Sequence, residues 1–229
     1  MIEVEKFISN PPFTLSLIEK EKKFFNIIKN ITKFHYNNCK KYKRILDEFN
    51  IDFGKFKTLS DLPFLPANIF KNHKMISVKK NKIIKTISSS GTSGKPVSKI
   101  FLDKENSLNQ TRALNKIVSH YIGKKRLPML IFDKKKILKD RNLFSARGAA
   151  ILGFSVFASE TTFAINENDT LDIEKIKNFL DKYKNQNYII FGFTYIIWER
   201  LYRGLKEFQK NFSFKNSILI HGGGWKKME

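Results

Sequence analysis

The 229-residue sequence predicts an α/β fold, with a helical N-terminus followed by a mixed, mainly parallel sheet that is flanked by helices. Two patterns lead to this class. Apolar residues recur at helical spacing in the N-terminal region, and beyond residue 71 short apolar runs alternate with amphipathic segments of helix length. Strands separated by helices usually pair in parallel, because a parallel connection needs a long crossover. We therefore expect a helical region, 1–58, and an α/β region, 59–229.

The N-terminal region has both a helix start signal and a helical repeat. Ser16 and Glu19 have the spacing of a capping box, in which each side chain accepts a hydrogen bond from the other residue's backbone N–H. The apolar residues that follow at helical spacing are Leu17, Phe24, Ile28, Ile31 and Phe34. A second helical stretch covers 42–49, and two prolines within 59–71 predict an ordered connector there rather than a helix.

The α/β region contains the predicted strands and their intervening helices. The strands are expected at 82–87, 97–102, 128–133, 188–191 and 217–220, and one helix at 107–122. Asp172 and Thr194 are residue types that cap helix N-termini, so each predicts a further helix.

Composition and charge exclude several protein classes. The hydrophobic fraction of 41%, with 22 Phe, excludes a disordered polar chain. No apolar run reaches the length of about 18 residues that a transmembrane helix needs, and the N-terminus lacks the apolar core of a signal peptide. The lone Cys39 excludes a disulfide scaffold and a cysteine-rich zinc site, and it is expected to be a small buried hydrophobe. We expect a soluble cytoplasmic protein with no membrane span.

The sequence carries 43 Lys+Arg and 21 Asp+Glu, a formal net charge of +22. Lysine clusters of this kind are typical of solvated faces. A nucleic-acid-binding protein would show a basic stripe interleaved with exposed aromatics or a reading module, and neither is present in the sequence. The positive field would still attract an anionic substrate such as a nucleotide.

The most informative segment is the loop 88–97 (SSSGTSGKPV), between two predicted strands. Glycines allow successive backbone N–H groups to point into one concavity that holds an anion, and hydroxyls and a lysine add donors. The alternative is a solvent-exposed polar hairpin, since Ser and Gly are ordinary turn residues. The loop is not a Walker A motif, because only two residues separate Gly91 from Gly94 and Pro96 stands where Ser or Thr is needed.

These residues resemble the phosphate-loop signature of adenylate-forming enzymes, which include acyl-CoA synthetases, luciferases and peptide-synthetase adenylation domains. Further segments resemble the acyl-protein synthetase family of bacterial bioluminescence, the fatty-acid-activating component of a fatty-acid reductase complex. They are 61–66 (DLPFLP), 69–71 (IFK), 145–150 (SARGAA), 191–194 (FGFT) and 221–227 (HGGGWKK). The resemblance runs in order from about residue 59 to the end of the sequence.

The resemblance implies that 59–229 is part of an adenylation domain and that the reaction has two steps. A carboxylate attacks the α-phosphate of ATP, giving an acyl adenylate and pyrophosphate, and the acyl group then passes to a protein thiol. Mg²⁺ would bridge phosphate oxygens. The residues implied in phosphate binding are Ser89, Ser90, Gly91, Thr92, Ser93, Gly94 and Lys95.

The same resemblance implies a second binding segment. The backbone of His221, Gly222, Gly223 and Gly224 would lie close to adenine and the reacting carboxylate, where side chains would obstruct. The alternative is a glycine turn that ends a strand. Arg147 would contact an anion or form a structural salt bridge. The aromatic residues that would line an acyl pocket, or lie in the core, are Phe191, Phe193, Tyr195 and Trp198.

The sequence stops just after the glycine-rich turn, whereas the family continues with strands, a ribose-binding aspartate, a hinge and a small domain with a catalytic lysine. We expect a C-terminally truncated or split gene product, active alone or with a complementing protein. Two alternatives to the ligase are an inactive nucleotide-binding or interaction module and a basic nucleic-acid-binding protein.

Overall fold

The computed structural model describes residues 2–88, 97–138, 146–207 and 212–225. The chain forms two compact units, Met1–His120 and Tyr121–Glu229. The sequence-based boundary at residue 58 stays a prediction. Among the described residues, no helix combines the length and the apolar character needed to cross a lipid bilayer.

The first unit begins with helices and ends with a strand pair and a long helix. Its helices are α1 (Ile2–Ser9), α2 (Leu17–Asn38), α3 (Lys40–Glu48), α4 (Ile69–Asn72) and α5 (Lys104–Ile122), the last of which runs into the second unit. Its strands are β1 (Ile83–Ser88) and β2 (Lys99–Asp103), and single 3-10 turns cover Leu59–Asp61 and Lys80–Lys82. The connector predicted at 59–71 is thus mainly irregular, as its two prolines require.

The predicted capping box at the start of α2 is confirmed. The backbone N–H of Ser16 donates to Oε2 of Glu19 over 3.0 Å, and the backbone N–H of Glu19 donates to the Ser16 hydroxyl over 3.3 Å. Two otherwise unsatisfied helix donors are therefore paired. At the other end of α2, Cys39 is buried at the junction with α3, as expected of a small apolar side chain.

Strands β1 and β2 form an antiparallel pair in which Ser88 lies opposite Lys99. The predicted phosphate loop is therefore the connection between two paired strands, as the sequence pattern predicts. The loop residues 89–96 lie outside the described residues.

The second unit contains a four-stranded parallel sheet. Its strands are β3 (Leu127–Lys134), β4 (Ala158–Ile165), β5 (Tyr188–Phe193) and β6 (Ser217–Gly222), in the spatial order β4-β3-β5-β6. Its helices are α6 (Ala146–Ser155), α7 (Ile173–Lys182), α8 (Thr194–Ile196) and α9 (Gly204–Glu207), with a π-helical segment, Ile197–Arg203, joining α8 to α9. The α/β class and the parallel pairing are confirmed.

Strand β4 and helix α6 are not among the predicted elements. The middle of β4 reads Ser-Glu-Thr-Thr, and β4 lies at one edge of the sheet, so it lacks the continuous apolar run that marks β3. Asp172 does cap α7, since its carboxylate accepts the backbone N–H of Lys175 over 3.1 Å.

The core of this unit covers both faces of the sheet. On one face, Leu130 and Phe132 of β3 pack with Ile176 and Phe179 of α7 in a buried cluster. On the other, Phe191 of β5 stacks on Phe154 of α6, with ring centroids 4.7 Å apart. The two central strands, β3 and β5, are therefore buried along almost their whole length, and this packing positions their carboxyl ends.

Candidate functional site

The carboxyl ends of β5 and β6 lie side by side, with Gly192 opposite His221 and Phe193 opposite Gly222. In open parallel α/β sheets, ligands bind outside the carboxyl ends of the strands. The segments 191–194 and 221–224, which are 27 or more residues apart in sequence, therefore meet at the edge where a ligand is expected.

The hydroxyl of Thr194 joins these two strand ends. Its Oγ1 atom lies 3.0 Å from Nδ1 of His221, 3.1 Å from the carbonyl oxygen of Gly222 and 3.3 Å from that of Gly223. The predicted role of Thr194 as a helix cap is wrong. Helix α8 begins at Thr194 itself, with Phe193 as the N-cap and without a side-chain cap bond, because the hydroxyl is engaged by the turn after β6.

The glycines of this turn differ in what requires them. Gly223 has a φ of +89°, which side-chain-bearing residues rarely adopt, and a Cβ there would lie 2.9 Å from Cδ1 of Phe193. At Gly222 and Gly224, an added Cβ would meet no described atom within 4 Å. Local packing thus requires glycine at one position, while at the other two the backbone faces space that a ligand can enter.

Three exposed aromatic side chains lie together in this part of the second unit. The ring of Trp198 stacks on Tyr202 with centroids 4.6 Å apart, and it meets Trp225 edge to face at 5.7 Å. Their exposed fractions are 37%, 58% and 52%, respectively. Trp225 directly follows the glycine turn, so the cluster forms an amphipathic surface beside it.

The predicted acyl pocket is only partly compatible with this arrangement. Phe191 is 3% exposed and stacks on Phe154, so it is a core residue and does not line an open pocket. Phe193 and Tyr195 are half-buried and pack against the core cluster. Of the four predicted aromatics, Trp198 is the one that belongs to the exposed cluster.

Arg147 forms a salt bridge with Asp133, the buried residue near the carboxyl end of β3. Its Nε donates to Oδ2 over 2.9 Å and its Nη2 donates to Oδ1 over 2.6 Å, while the backbone N–H of Lys134 donates to Oδ1 over 2.8 Å. A carboxylate that is 1% exposed needs such partners, because desolvating an unpaired charge is unfavourable. The structural salt bridge, one of the two predicted roles of Arg147, is therefore confirmed.

A second carboxylate nearby is also held by basic side chains. The ammonium of Lys134 donates to Oδ2 of Asp169 over 2.6 Å. This hydrogen bond, together with the positive charges of Lys134, Arg200 and Arg147, lowers the pKa of Asp169 below its ordinary value. Near the carboxyl end of β3, Lys134 and Arg147 are thus each paired with a carboxylate.

The first unit has a separate concave surface at the end of the predicted phosphate loop. This pocket has a volume of about 470 Å³, and Lys71, Lys74 and Lys99 line it together with His73 and Val97. None of the three lysines forms an ion pair with a described residue. Val97 is the last residue of the loop 88–97 and Lys99 comes two residues later, so the C-terminal end of the loop lies at a basic surface.

The structure places some of the predicted site residues and leaves others outside its description. It brings His221, Gly222 and Gly223 to the sheet edge, and Gly224 follows them. The predicted phosphate-binding residues, Ser89 to Lys95, lie outside the described residues. Within the described ranges, no cluster of three or more His, Cys, Asp or Glu side chains is arranged to hold a metal ion.

Sequence reasoning missed the link between Thr194 and the glycine turn. The signal was present, because both FGFT (191–194) and HGGGW (221–225) stand out as motifs. Their pairing requires β5 and β6 to be neighbours in register, and a sequence does not state strand order. The aromatic cluster was missed for the same reason, since Trp225 reaches Trp198 only through this pairing.

The chain is thus an α/β protein with a glycine-rich turn at the carboxyl edge of a parallel sheet. The chain belongs to the acyl-protein synthetase (LuxE) family, whose sequence pattern matches residues 2–229. The match confirms the family resemblance and extends it into the N-terminal helices, which the five motifs do not include.

Two proteins named long-chain-fatty-acid–luciferin-component ligase are similar to the chain. The protein from Vibrio harveyi is 23% identical over 224 residues, covering 94% of this chain and 56% of that protein. The protein from Photorhabdus luminescens is 26% identical over 93 residues, covering 40% of this chain and 79% of that protein. The chain therefore spans little more than half the length of the Vibrio relative.

Proposed function

We propose that this protein takes part in activating a fatty acid with ATP, forming an acyl adenylate whose acyl group then passes to a protein thiol. The observation that carries the proposal is the family match over residues 2–229. The names of the two similar proteins support a long-chain fatty acid as the substrate class. The ATP-dependent chemistry comes from the phosphate-loop resemblance at 88–97.

The chemistry assigns a task to each predicted segment. When the carboxylate attacks the α-phosphate, negative charge grows on the departing pyrophosphate, and fixed donors lower the energy of that transition state. We assign this task to Ser89, Ser90, Thr92, Ser93 and Lys95. Mg²⁺ on the phosphate oxygens would neutralise further charge.

Two structural observations support the assignment without depending on the loop coordinates. The basic pocket of Lys71, Lys74 and Lys99 lies next to the C-terminal end of the loop. Its lysines form no ion pair with a described residue, and their charge suits an anionic ligand. In the second unit, the backbone at Gly222 and Gly224 is open to close approach, as adenine and a carboxylate would require.

The test is ATP–pyrophosphate exchange with a panel of fatty acids of different chain lengths. We expect acid-dependent exchange by the parent chain and its loss in the double variant Thr92→Ala/Lys95→Ala, which should stay folded because turn residues contribute little to a core. The matched control is Lys124→Ala/Lys125→Ala, which changes two lysines outside the proposed site.

Mg·ATP titration by calorimetry separates the remaining outcomes. ATP binding without exchange for any acid would favour the inactive nucleotide-binding module. A double variant that binds ATP as the parent does would contradict the assignment of the loop. Retention on nucleic acid that weakens steeply with salt, in the absence of ATP binding, would favour the nucleic-acid alternative.

A further inference from the structure

The contacts of the Thr194 hydroxyl determine which nitrogen of His221 carries a proton. A hydroxyl has one hydrogen to donate, and a carbonyl oxygen only accepts. The carbonyl oxygens of Gly222 and Gly223 lie 3.1 and 3.3 Å from Oγ1, and a hydrogen bond to either of them uses the hydrogen of the hydroxyl. The contact of 3.0 Å between Oγ1 and Nδ1 of His221 is then a hydrogen bond only if Nδ1 is the donor.

We infer that Thr194 holds His221 as the Nδ1–H tautomer and leaves Nε2 as a hydrogen-bond acceptor for the nucleoside part of the ligand. His221 is exposed at the carboxyl end of β6, and its Nε2 makes no hydrogen bond with a described residue. The inference rests on the proposed function for the identity of the ligand, but the tautomer follows from the protein alone.

The tautomer selects the chemistry of the ligand group. An unprotonated Nε2 accepts a hydrogen bond from an N–H or O–H group and has nothing to donate to a carboxylate. The ionised carboxylate of a fatty acid is therefore not its partner. Adenosine carries suitable donors in its exocyclic amino group and its ribose hydroxyls, so Nε2 recognises the nucleoside.

Thr194 is accordingly a positioning residue that acts through His221. It fixes the imidazole by accepting a hydrogen bond from Nδ1, and it holds the glycine turn by sharing its one hydrogen between the carbonyl oxygens of Gly222 and Gly223. The same hydroxyl thus positions the imidazole of His221 and the exposed backbone at Gly222. Both groups can then contact one ligand.

The tautomer is tested by the ¹⁵N NMR signals of the His221 ring in the ligand-free protein at neutral pH. We expect Nδ1 protonated and Nε2 unprotonated in the parent and in Thr194→Ser, which keeps the hydroxyl. In Thr194→Val, which keeps the shape and loses the hydroxyl, the preference for Nδ1–H should disappear. A parent protein with the proton on Nε2 would overturn the inference, whatever its affinity for ATP.

Ligand recognition is tested by calorimetry with Mg·ATP. His221→Asn places its amide near the Nδ1 position and lacks an acceptor at Nε2, whereas His221→Gln places an acceptor near Nε2. We expect Asn to weaken binding about 3- to 10-fold, the effect of one lost hydrogen bond, and Gln to restore most of the affinity. Equal affinity of the parent and the Asn variant would refute the role of Nε2.

Purine riboside triphosphate identifies the donor on the nucleoside, because it carries a hydrogen in place of the amino group and has no other N–H donor on its base. Sensitivity to His221→Asn that is confined to ATP assigns the amino group, and sensitivity shared by both nucleotides assigns a ribose hydroxyl. If the parent binds neither nucleotide, the proposed function and the nucleoside contact both fail, while the NMR result still decides the tautomer.

Discussion

Single residues at the carboxyl edge of the sheet have separable structural and binding roles. Gly223 is required by its backbone conformation and by the ring of Phe193, whereas Gly222 and Gly224 face open space among the described residues. The three glycines of the turn therefore allow one substitution to be compared at neighbouring positions. Substitutions by the same residue type at neighbouring positions should affect folding at one position and ligand binding at the others.

Alanine substitution of the three glycines tests this separation. We expect Gly223→Ala to lower the free energy of unfolding by about 1–3 kcal/mol, because alanine is strained at positive φ and its Cβ crowds Phe193. Gly222→Ala and Gly224→Ala should change stability by no more than about 1 kcal/mol and still weaken Mg·ATP binding. Urea titration and calorimetry on the same preparations give both quantities. Unchanged ATP affinity in both variants would show that no ligand approaches this backbone.

Between elements, a polar contact ties α7 to β4. The carboxylate of Glu160 on β4 accepts hydrogen bonds from the ammonium of Lys182 and the hydroxyl of Tyr183 at the end of α7. These two bonds lower the pKa of Glu160, and the same contact raises the pKa of Lys182 above its ordinary value. Because Glu160 lies on the edge strand, the contact helps to hold the helix against the sheet where β4 has few buried side chains.

The lowered pKa of Glu160 predicts a pH dependence of stability. A carboxyl whose pKa is lower in the folded state stabilises the fold above its unfolded pKa of roughly 4.3, and this contribution is lost as the pH falls through the lowered folded value. Glu160→Gln should therefore be less stable than the parent at pH 7 and equal to it in strong acid. Urea midpoints measured across this range provide the check.

Salt provides the control for this prediction, because exposed ion pairs are screened at high ionic strength. The difference between the parent and Glu160→Gln at pH 7 should shrink in concentrated salt. A difference of constant size at every pH would mean that the substitution acts through packing rather than through charge.

The whole molecule consists of two units that differ in their apolar cores. The buried apolar side chains described in the first unit are Cys39, Leu46, Phe56, Leu62, Leu102 and Val118. The second unit contains the continuous cluster around Phe132 and Ile176, with a further buried layer on the opposite face of its sheet. Since burial of apolar surface dominates stability, the second unit should be the more stable one.

This difference predicts two unfolding transitions in urea. Both tryptophans of the chain, Trp198 and Trp225, lie in the second unit, so their fluorescence reports that unit, whereas circular dichroism also reports α1–α3. We expect the dichroism signal to begin falling at lower urea than the fluorescence. A Phe53→Trp probe in the first unit should follow the early transition. Coincident curves for all three signals would instead indicate one cooperative unit.

Local signals in the sequence predicted many elements because they depend on neighbours along the chain. Ser16 and Glu19 form their capping box within one turn, and the apolar run of β3 identifies a buried strand whatever surrounds it. The polar middle of β4 carries no such local signal. It is a strand because the backbone of β3 offers it hydrogen bonds, which only the folded sheet provides.

The α/β class, the parallel pairing of the strands and the family are all predictable from the sequence, because periodicity and ordered motifs are properties of the chain read in one dimension. Two contacts become visible in the folded structure. The hydroxyl of Thr194 bonds to the glycine turn instead of capping its helix, and the guanidinium of Arg147 forms a salt bridge with Asp133. A hydroxyl or a guanidinium can satisfy several partners equally well. Such a side chain bonds to the partner that lies within hydrogen-bonding distance, about 3 Å. Strand order and register decide which partner that is, and the packing of the whole sheet sets both.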